Sequence, residues 1–294
     1  MMKINKFFWK DKIILITGHN GFVGTWLTQT LLYLNVKKIY GYSKKNKNSK
    51  FFFDLLKLNK KKVNSFTGDI NNLSKLKKVF KIAKPDIVIH LAAQPIVNVG
   101  YKNPIDTFKT NIIGTANLLN CVKLDEKIKA VLIVTSDKVY INKESNYGYK
   151  ENDTLGGHDP YSASKAAAEL ITESMKLSYF RNKKYQKQTA IATARAGNII
   201  GGGDWSEDRL IPDIINSIFR NKNIVIRSPS SVRPWQHVFD AINGYLLLIE
   251  KIFKYPNQFS QAWNFGPNKN NIRVDEIVKK SIKISKSQSK LIIN

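Results

Sequence analysis

Residues 12–32 run from a strand-like segment, through three spaced glycines, into a helix. Lys12-Ile13-Ile14-Leu15-Ile16-Thr17 is a short, continuous apolar run, the pattern of a parallel strand covered on both faces. Gly18-His19-Asn20-Gly21-Phe22-Val23-Gly24 follows at once, and Thr25 to Leu32 reads as a helix. Glycines there permit a tight turn and close backbone approach, and the start of the helix offers free N–H groups to a pyrophosphate. The unit predicts a dinucleotide site on Gly18, Asn20, Gly21, Phe22, Val23 and Gly24. Its spacing is GxxGxxG, whereas the common dehydrogenase form is GxGxxG.

The same alternation continues. Lys38 to Ser43 reads as a second strand. A simple NAD site places Asp or Glu near the end of that strand. Here Ser43 is followed by Lys44 and Lys45, which leaves NADP open, since a lysine can meet a 2′-phosphate. The Lys/Asn-rich stretch 44–50 reads as a loop. Val63 to Ile70 is a third strand ending in Gly68-Asp69-Ile70. Asp69 has two readings: a partner for an adenine amino group, or a cap for the next helix, Leu73 to Ala83. Pro85 to Gln94 is another buried strand, and its end, Leu91 followed by the small Ala92 and Ala93, suits a backbone passing close to a cofactor. A helix from about Pro104 to Val122 carries Asn111, a candidate to hold the active-site backbone. Ala130 to Lys138 is apolar and then abruptly polar, and Ala190 to Arg195 is a sixth strand. The β-α-β order predicts an α/β fold with a doubly wound parallel sheet.

In open α/β sheets ligands gather at the C-terminal ends of the strands. Thr135, Ser136, Asp137 and Lys138 sit at such an end, and Tyr161-Ser162-Ala163-Ser164-Lys165 opens the helix that follows. Tyr161 and Lys165, four residues apart, share a helix face. A lysine ammonium near a phenol favours the phenolate, which makes the tyrosine an acid/base near neutral pH. A Tyr-x-x-x-Lys pair alone is common on ordinary amphipathic helices. The order of the segments before it gives it weight.

The detailed wording adds a resemblance. It is carried by Phe8-Trp9, Thr17-Gly18-His19, Ala92-Ala93-Gln94-Pro95, Thr135-Ser136-Asp137-Lys138 and Gly156-Gly157-His158-Asp159-Pro160-Tyr161-Ser162. Further on it is carried by Arg195 to Trp205, Arg233-Pro234-Trp235-Gln236-His237-Val238 and Trp263-Asn264-Phe265-Gly266-Pro267-Asn268. The chain resembles the extended short-chain dehydrogenase/reductases of the NAD-dependent epimerase/dehydratase family. Over residues 7 to about 280 it is similar to their CDP-glucose 4,6-dehydratase branch.

The resemblance implies a Rossmann domain over residues 1–197 and about 235–254. It implies a smaller sugar-nucleotide domain over about 198–234 and 255–294, incomplete at its C-terminus because relatives continue for several tens of residues. The implied reaction is that of a lyase. CDP-glucose loses water to give CDP-4-dehydro-6-deoxyglucose, with transient hydride transfer to a tightly bound NAD. Tyr161, helped by Lys165 and Ser136, takes the C4 hydroxyl proton. Asp137 donates a proton to the leaving C6 oxygen, and Lys138 is the C5 base or its electrostatic helper. The base role requires a depressed lysine pKa, which burial near Lys165 would give. Cofactor contacts fall on the glycine turn, Ser43, Asp69, Ile70, Leu91, Ala92, Ala93, Asn111, Thr135, Tyr161 and Lys165. Substrate contacts fall on Gln94, Asn198, Arg209, Leu210, Arg227 and Arg233, the arginines as phosphate ligands. Val23 and Asn98 depart from the basic residues of close relatives. His237 is expected in the core beside Trp235, with no catalytic role. A homodimer through a four-helix interface is also implied.

Composition narrows the alternatives. The net charge of +26 comes mostly from lysine spread along the whole chain and mixed with Asn and Ile, which argues against a dedicated nucleic-acid surface. No apolar run approaches the ~20 residues of a membrane span, and the N-terminus lacks a signal-peptide core. The one cysteine, Cys121, cannot form an internal disulfide, which agrees with a reducing cytoplasm. No Cys/His cluster has metal-ligand spacing. The competing readings are an epimerase or dehydratase for another nucleotide sugar, an inactive nucleotide-sugar-binding relative, and, remotely, a basic nucleic-acid-binding module.

Overall fold

The computed structural model describes residues 3–45, 52–56, 58, 61–144, 148–180, 189–267 and 272–294. Residues 46–50 of the expected 44–50 loop, and Asn268, lie outside them. The chain divides into two compact units, residues 1–196 with 239–265, and residues 197–238 with 266–294.

In the first unit the elements are α1 (Lys6–Lys10), β1 (Ile13–Thr17), α2 (Phe22–Tyr33), β2 (Lys38–Ser43), α3 (Phe52–Leu55), β3 (Val63–Thr67), α4 (Leu73–Ala83) and β4 (Ile87–His90). They continue with α5 (Val97–Lys102), α6 (Pro104–Phe108), α7 (Gly114–Lys123), β5 (Ala130–Val134), α8 (Pro160–Met175) and β6 (Ala190–Ala196). The second unit holds β7 (Asn198–Ile200), α9 (Leu210–Phe219), β8 (Ile224–Ile226) and β9 (Trp235–His237). The chain then re-enters the first unit through α10 (Val238–Lys254), α11 (Pro256–Phe259) and β10 (Ala262–Phe265), and ends in the second with α12 (Val274–Ser285) and β11 (Leu291–Ile293).

Seven parallel strands form one sheet in the order β10-β6-β5-β4-β1-β2-β3. The order reverses between β1 and β4, which is where such sheets open a ligand crevice. Side chains of β1, β4, β5 and β6 (Leu15, Val88, Val131, Ile133, Ile191) pack on Leu76, Val79 and Phe80 of α4 and Leu118, Leu119 and Val122 of α7. The residues alternating with these, Ile14, Ile16, Ile87, Ile89 and Leu132, are buried as well, so both faces of these strands are covered, which explains the unbroken apolar runs. The segment expected as one helix from Pro104 is α6, a π turn over Lys109–Ile113, and α7, with Asn111 inside the π turn. Such bulges often sit at functional sites. Among the described residues no helix is long and apolar enough to cross a membrane.

Two domain boundaries differ from expectation. Residues 255–265 belong to the first unit because β10 pairs with β6 from Ala262↔Thr193 to Phe265↔Ala196, extending the main sheet. Residues 235–238 belong to the second unit because β9 pairs with β7 from Asn198↔Trp235 to Ile200↔His237. The second unit has its own core of Ile214, Ile224, Ile226 and Val278. His237 is exposed at the end of its strand and is not a core histidine.

Candidate active site

The glycine turn comes first because its backbone fixes the start of α2. Gly18 has φ of +76°, and a Cβ there would lie 2.7 Å from the Ala92 backbone nitrogen. A Cβ at Gly24 would lie 2.1 Å from the Gly18 carbonyl oxygen. Both positions therefore require glycine, one for its dihedral and both for their close neighbours. Gly21 is the N-cap of α2 and places no side chain over the first N–H groups of that helix. An uncapped helix start beside a glycine turn fits a diphosphate.

The neighbouring strand ends are already partnered. Ser43 Oγ lies 2.8 Å from His19 Nδ1, and Ser65 Oγ lies 2.9 Å from His19 Nε2. Burial lowers the His19 pKa to about 4, so this ring is neutral. Asp69 accepts from the Asn71 N–H at 2.9 Å and sits 3.0 Å from the Lys44 ammonium. Burial pushes its carboxyl up, but the Asn71 N–H and Lys44 outweigh that and hold it below the usual range. The cap reading of Asp69 is overturned: Asn72 caps α4, accepting from the Lys75 N–H at 2.9 Å. Asn20 donates to the Lys44 carbonyl at 3.1 Å, and Ile70 packs into the core.

At the end of β4, Asn111 accepts from the Gln94 N–H at 2.8 Å and donates to the Gln94 carbonyl at 3.1 Å. It also donates to Ser164 Oγ at 2.8 Å, which ties the Leu91-Ala92-Ala93-Gln94 strand end to α8. Asn111 thus holds the backbone of the site, as expected. The Gln94 side chain, expected to face substrate, is engaged locally. It donates to the Ile96 carbonyl and to Thr107 Oγ1 and accepts from the Ile96 N–H.

Tyr161 and Lys165 lie one turn apart on α8, both buried. The helix is started by Asp159, which accepts from the Tyr161 and Ser162 N–H groups, with Pro160 at the first position. Lys165 Nζ donates to the Val134 carbonyl at 3.2 Å, reaching the end of β5. Burial lowers the Lys165 pKa to about 8, with the Glu169 charge acting the other way. His90, between Thr17 and Thr115, is held neutral by burial and by the Lys165 charge, with a pKa of about 3.

The turn after β5 packs on α8 and carries the other predicted residues. Ser136 is buried, donates to Asp137 at 3.1 Å and accepts from the Lys138 N–H at 3.2 Å. Asp137 and Lys138 form an ion pair at 3.5 Å, with side chains 30% and 39% exposed. Lys138 is thus partly exposed, and Asp137 partners its ammonium. Thr135 is buried, and its hydroxyl donates to Glu169 at 2.5 Å.

The remaining substrate candidates belong to the second unit. Asn198 Oδ1 is shielded from solvent and has no hydrogen-bond partner among the described residues. Arg209 occupies the N-cap position of α9 ahead of Leu210 without a side-chain capping bond, and it pairs with Asp204 at 3.0 Å. Arg227 and Arg233 are exposed, and Arg233 donates to the Val232 carbonyl. Among the described residues no cluster of three or more His, Cys, Asp or Glu could hold a metal ion.

Residues 14–266 match the family described as NAD dependent epimerase/dehydratase. The chain belongs to the NAD-dependent epimerase/dehydratase family. Its cofactor is NAD, and the glycine turn fits that dinucleotide. Among curated relatives, the chain is 42% identical over 276 residues to a CDP-glucose 4,6-dehydratase of Salmonella typhimurium, covering 94% of this chain and 76% of that one. It is 30% identical to a dTDP-D-glucose 4,6-dehydratase of Dictyostelium discoideum, covering 92% of this chain and 62% of that one. An epimerase from Methanothermobacter thermautotrophicus superposes with a TM-score of 0.85 at 22% identity, over 98% of this chain and 81% of the other. A dTDP-glucose 4,6-dehydratase of Bacillus anthracis, solved with NAD, superposes with a TM-score of 0.74 at 23% identity, over 96% and 84%. These two solved structures speak for the doubly wound fold.

Glu169, a third residue on the Tyr161–Lys165 face of α8, was not apparent from the sequence. It stands four residues beyond Lys165, so the same spacing rule that picked out the pair continues to it. An acidic residue on a helix is ordinarily assigned to solvent, and here it is 4% exposed.

Proposed function

We propose that the chain is a CDP-glucose 4,6-dehydratase, a lyase that removes water from CDP-glucose to give CDP-4-dehydro-6-deoxyglucose. The observation that carries this reading is the polar strand end Ser136-Asp137-Lys138 packed against the helix bearing Tyr161 and Lys165, in a chain 42% identical to the Salmonella enzyme of that name. An epimerase needs no acid/base pair for elimination, and the Asp137–Lys138 pair favours a dehydratase.

Bound NAD supplies a reversible hydride acceptor. The protein's own part is proton movement and positioning. Tyr161 takes the proton of the C4 hydroxyl, and the Lys165 ammonium one turn away stabilises the negative charge left on its oxygen. Ser136 holds the same hydroxyl by hydrogen bonding. Asp137 delivers a proton to the departing C6 oxygen. The proton lost from C5 replaces the one that Asp137 gives up, so the step releases one water with no net proton consumed, and Lys138, half-exposed and ion-paired with Asp137, assists the C5 deprotonation electrostatically. Asn111 fixes the floor of the site by clamping Gln94 to α8. Asn198 Oδ1, a shielded acceptor without a partner, suits a ligand donor, and Arg209, Arg227 and Arg233 are the proposed phosphate contacts.

Ile105, Ile113 and Leu170, each more than half exposed on α6, the π turn and α8, support a homodimer through these helices. Leu170→Asp is then expected to yield monomer in analytical ultracentrifugation. The free, buried Cys121 agrees with a cytoplasmic enzyme, and the product would feed deoxysugar synthesis for a surface polysaccharide such as the O-antigen of lipopolysaccharide.

The test is to incubate the purified chain with CDP-glucose, without and then with added NAD, and follow the nucleotide sugar by mass spectrometry. Loss of one water supports the reading. CDP-glucose binding without water loss would make the chain an inactive relative, and absence of binding would remove the substrate assignment.

A further inference from the structure

Beneath the Tyr161–Lys165 pair lies a buried ionic cluster. Glu169 accepts from Thr135 Oγ1 (2.5 Å), Thr193 Oγ1 (2.6 Å), Arg195 Nε (3.0 Å) and Arg195 Nη2 (3.1 Å). Four donors on two oxygens is the pattern of an ionised carboxylate. Glu169 and Arg195 are 4% and 5% exposed, so this is a fully desolvated fork-to-fork pair. Arg195 Nη1 is held by Tyr140 Oη and the Glu151 carbonyl, both at 2.9 Å. Tyr140 Oη donates in turn to Asn264 at 2.6 Å, which locks the cluster to β10.

The cluster is more than a staple between α8 and β6. Burial disfavours the protonated form of Lys165, whose Nζ donates to the Val134 carbonyl and makes no ion pair among the described residues. The Glu169 carboxylate is the group whose charge opposes that effect. It can do so continuously because two threonines and a guanidinium hold it fixed at one turn's distance.

We propose that Glu169 is a positioning residue that keeps Lys165 protonated and so sets the alkaline end of the pH range over which Tyr161 and Lys165 work. The proposal rests on the reading of those two residues given above. The other groups around Lys165 act differently. His90 of β4, held neutral by burial, and Tyr245 of α10, whose phenol burial pushes up, bring no fixed charge. Asp137 and Lys138 of the turn after β5 are paired with each other. Lys102, Asp106 and Lys109 on α5, α6 and the π turn are solvent-exposed, and Lys123 of α7 stacks on the Tyr179 ring. Further along α8, Glu173 pairs with Lys176.

The test uses the NAD-loaded protein with two variants. Glu169→Gln removes the charge, and Glu169→Gln/Arg195→Met removes it without leaving a buried guanidinium unpaired, an exchange that is commonly near neutral for folding. The first readout is the titration of Lys165 by NMR on protein labelled at lysine Cε, the signal being identified by its loss in Lys165→Met. In Glu169→Gln the midpoint is expected to fall by about one pH unit, the scale of one fixed charge at a helical turn's distance in a protein interior, and in the double variant, where the Arg195 cation leaves with the carboxylate, to fall by less but still measurably, because Glu169 stands nearer to Lys165 along α8. The second readout is turnover against pH. The alkaline limb is expected to move down, so that the ratio of rates at about pH 6.5 and 9 rises by about tenfold. A merely structural role would lower the rate alike at every pH. An unmoved Lys165 midpoint would overturn the proposal. So would loss of the folded state in both variants, which would assign Glu169 to the fold alone. The NMR titration needs no turnover, so a moved midpoint in a protein without dehydratase activity would keep this proposal and remove the substrate reading.

Discussion

His90 makes stability depend on pH in a way that can be worked out. Its ring is enclosed at the end of β4, with Nδ1 2.6 Å from Thr17 Oγ1 and Nε2 3.2 Å from Thr115 Oγ1. Burial and the Lys165 charge lower its pKa from 6.5 to about 3. A depressed histidine contributes stability that is whole above the unfolded value. That stability is lost as pH falls from about 6.5 toward about 3, because the unfolded chain takes up a proton that the folded one refuses. At about pH 5 the loss is about 2 kcal/mol. His19, lowered to about 4 by burial, has the same sign and loses about 2 kcal/mol more at that pH. Lys165, lowered to about 8, stays protonated across this window and adds little. The expected total of about 4 kcal/mol is large beside a typical folding stability of about 5–15 kcal/mol. His90→Gln keeps a donor and an acceptor for the two threonines but cannot titrate. Urea unfolding followed by tryptophan fluorescence between about pH 7.5 and 5 should therefore show about half the wild-type pH dependence in this variant. The same pH dependence in wild type and His90→Gln would refute the reasoning, since it would mean that the folded protein protonates His90 as readily as the unfolded chain does.

Three more substitutions test the site and the core. Gly24→Ala should abolish NAD binding in calorimetry and lower the melting temperature, because its Cβ would lie 2.1 Å from the Gly18 carbonyl oxygen. Gly21→Ala, whose Cβ would meet that oxygen at 3.4 Å, should fold normally. Tyr245 is fully buried on α10, and its hydroxyl has no hydrogen-bond partner among the described residues. Tyr245→Phe should leave stability unchanged or raise it by about 1 kcal/mol in urea unfolding, and a loss above that size would reveal a bond the hydroxyl makes.

The parts of the fold that were legible are those in which local sequence and tertiary role agree. β1, β4 and β5 are covered on both faces, so their apolar runs name them, and Tyr161 and Lys165 are tied by helical spacing alone. Asp69 was legible as a strand-end carboxylate but not in its role. Choosing between Asp69 and Asn72 as the cap of α4 depends on where the turn after β3 bends, which propensity does not decide. β10 escaped because Ala262-Trp263-Asn264-Phe265 is half-buried at a sheet edge and has neither a clean alternation nor a continuous apolar run. Only its pairing with β6 puts it in the sheet. Glu169 escaped for a related reason. Read along the chain, a glutamate after Ala-Ala-Ala is a solvated helix position. What reverses that reading is Arg195, 26 residues away and one element across. A buried charge is tolerated only with its partner, so it cannot be recognised from either residue alone. The same rule explains why the pair is informative once seen: a desolvated ion pair is weak evidence for stability, and its place one turn below Lys165 gives it an electrostatic use that packing does not require.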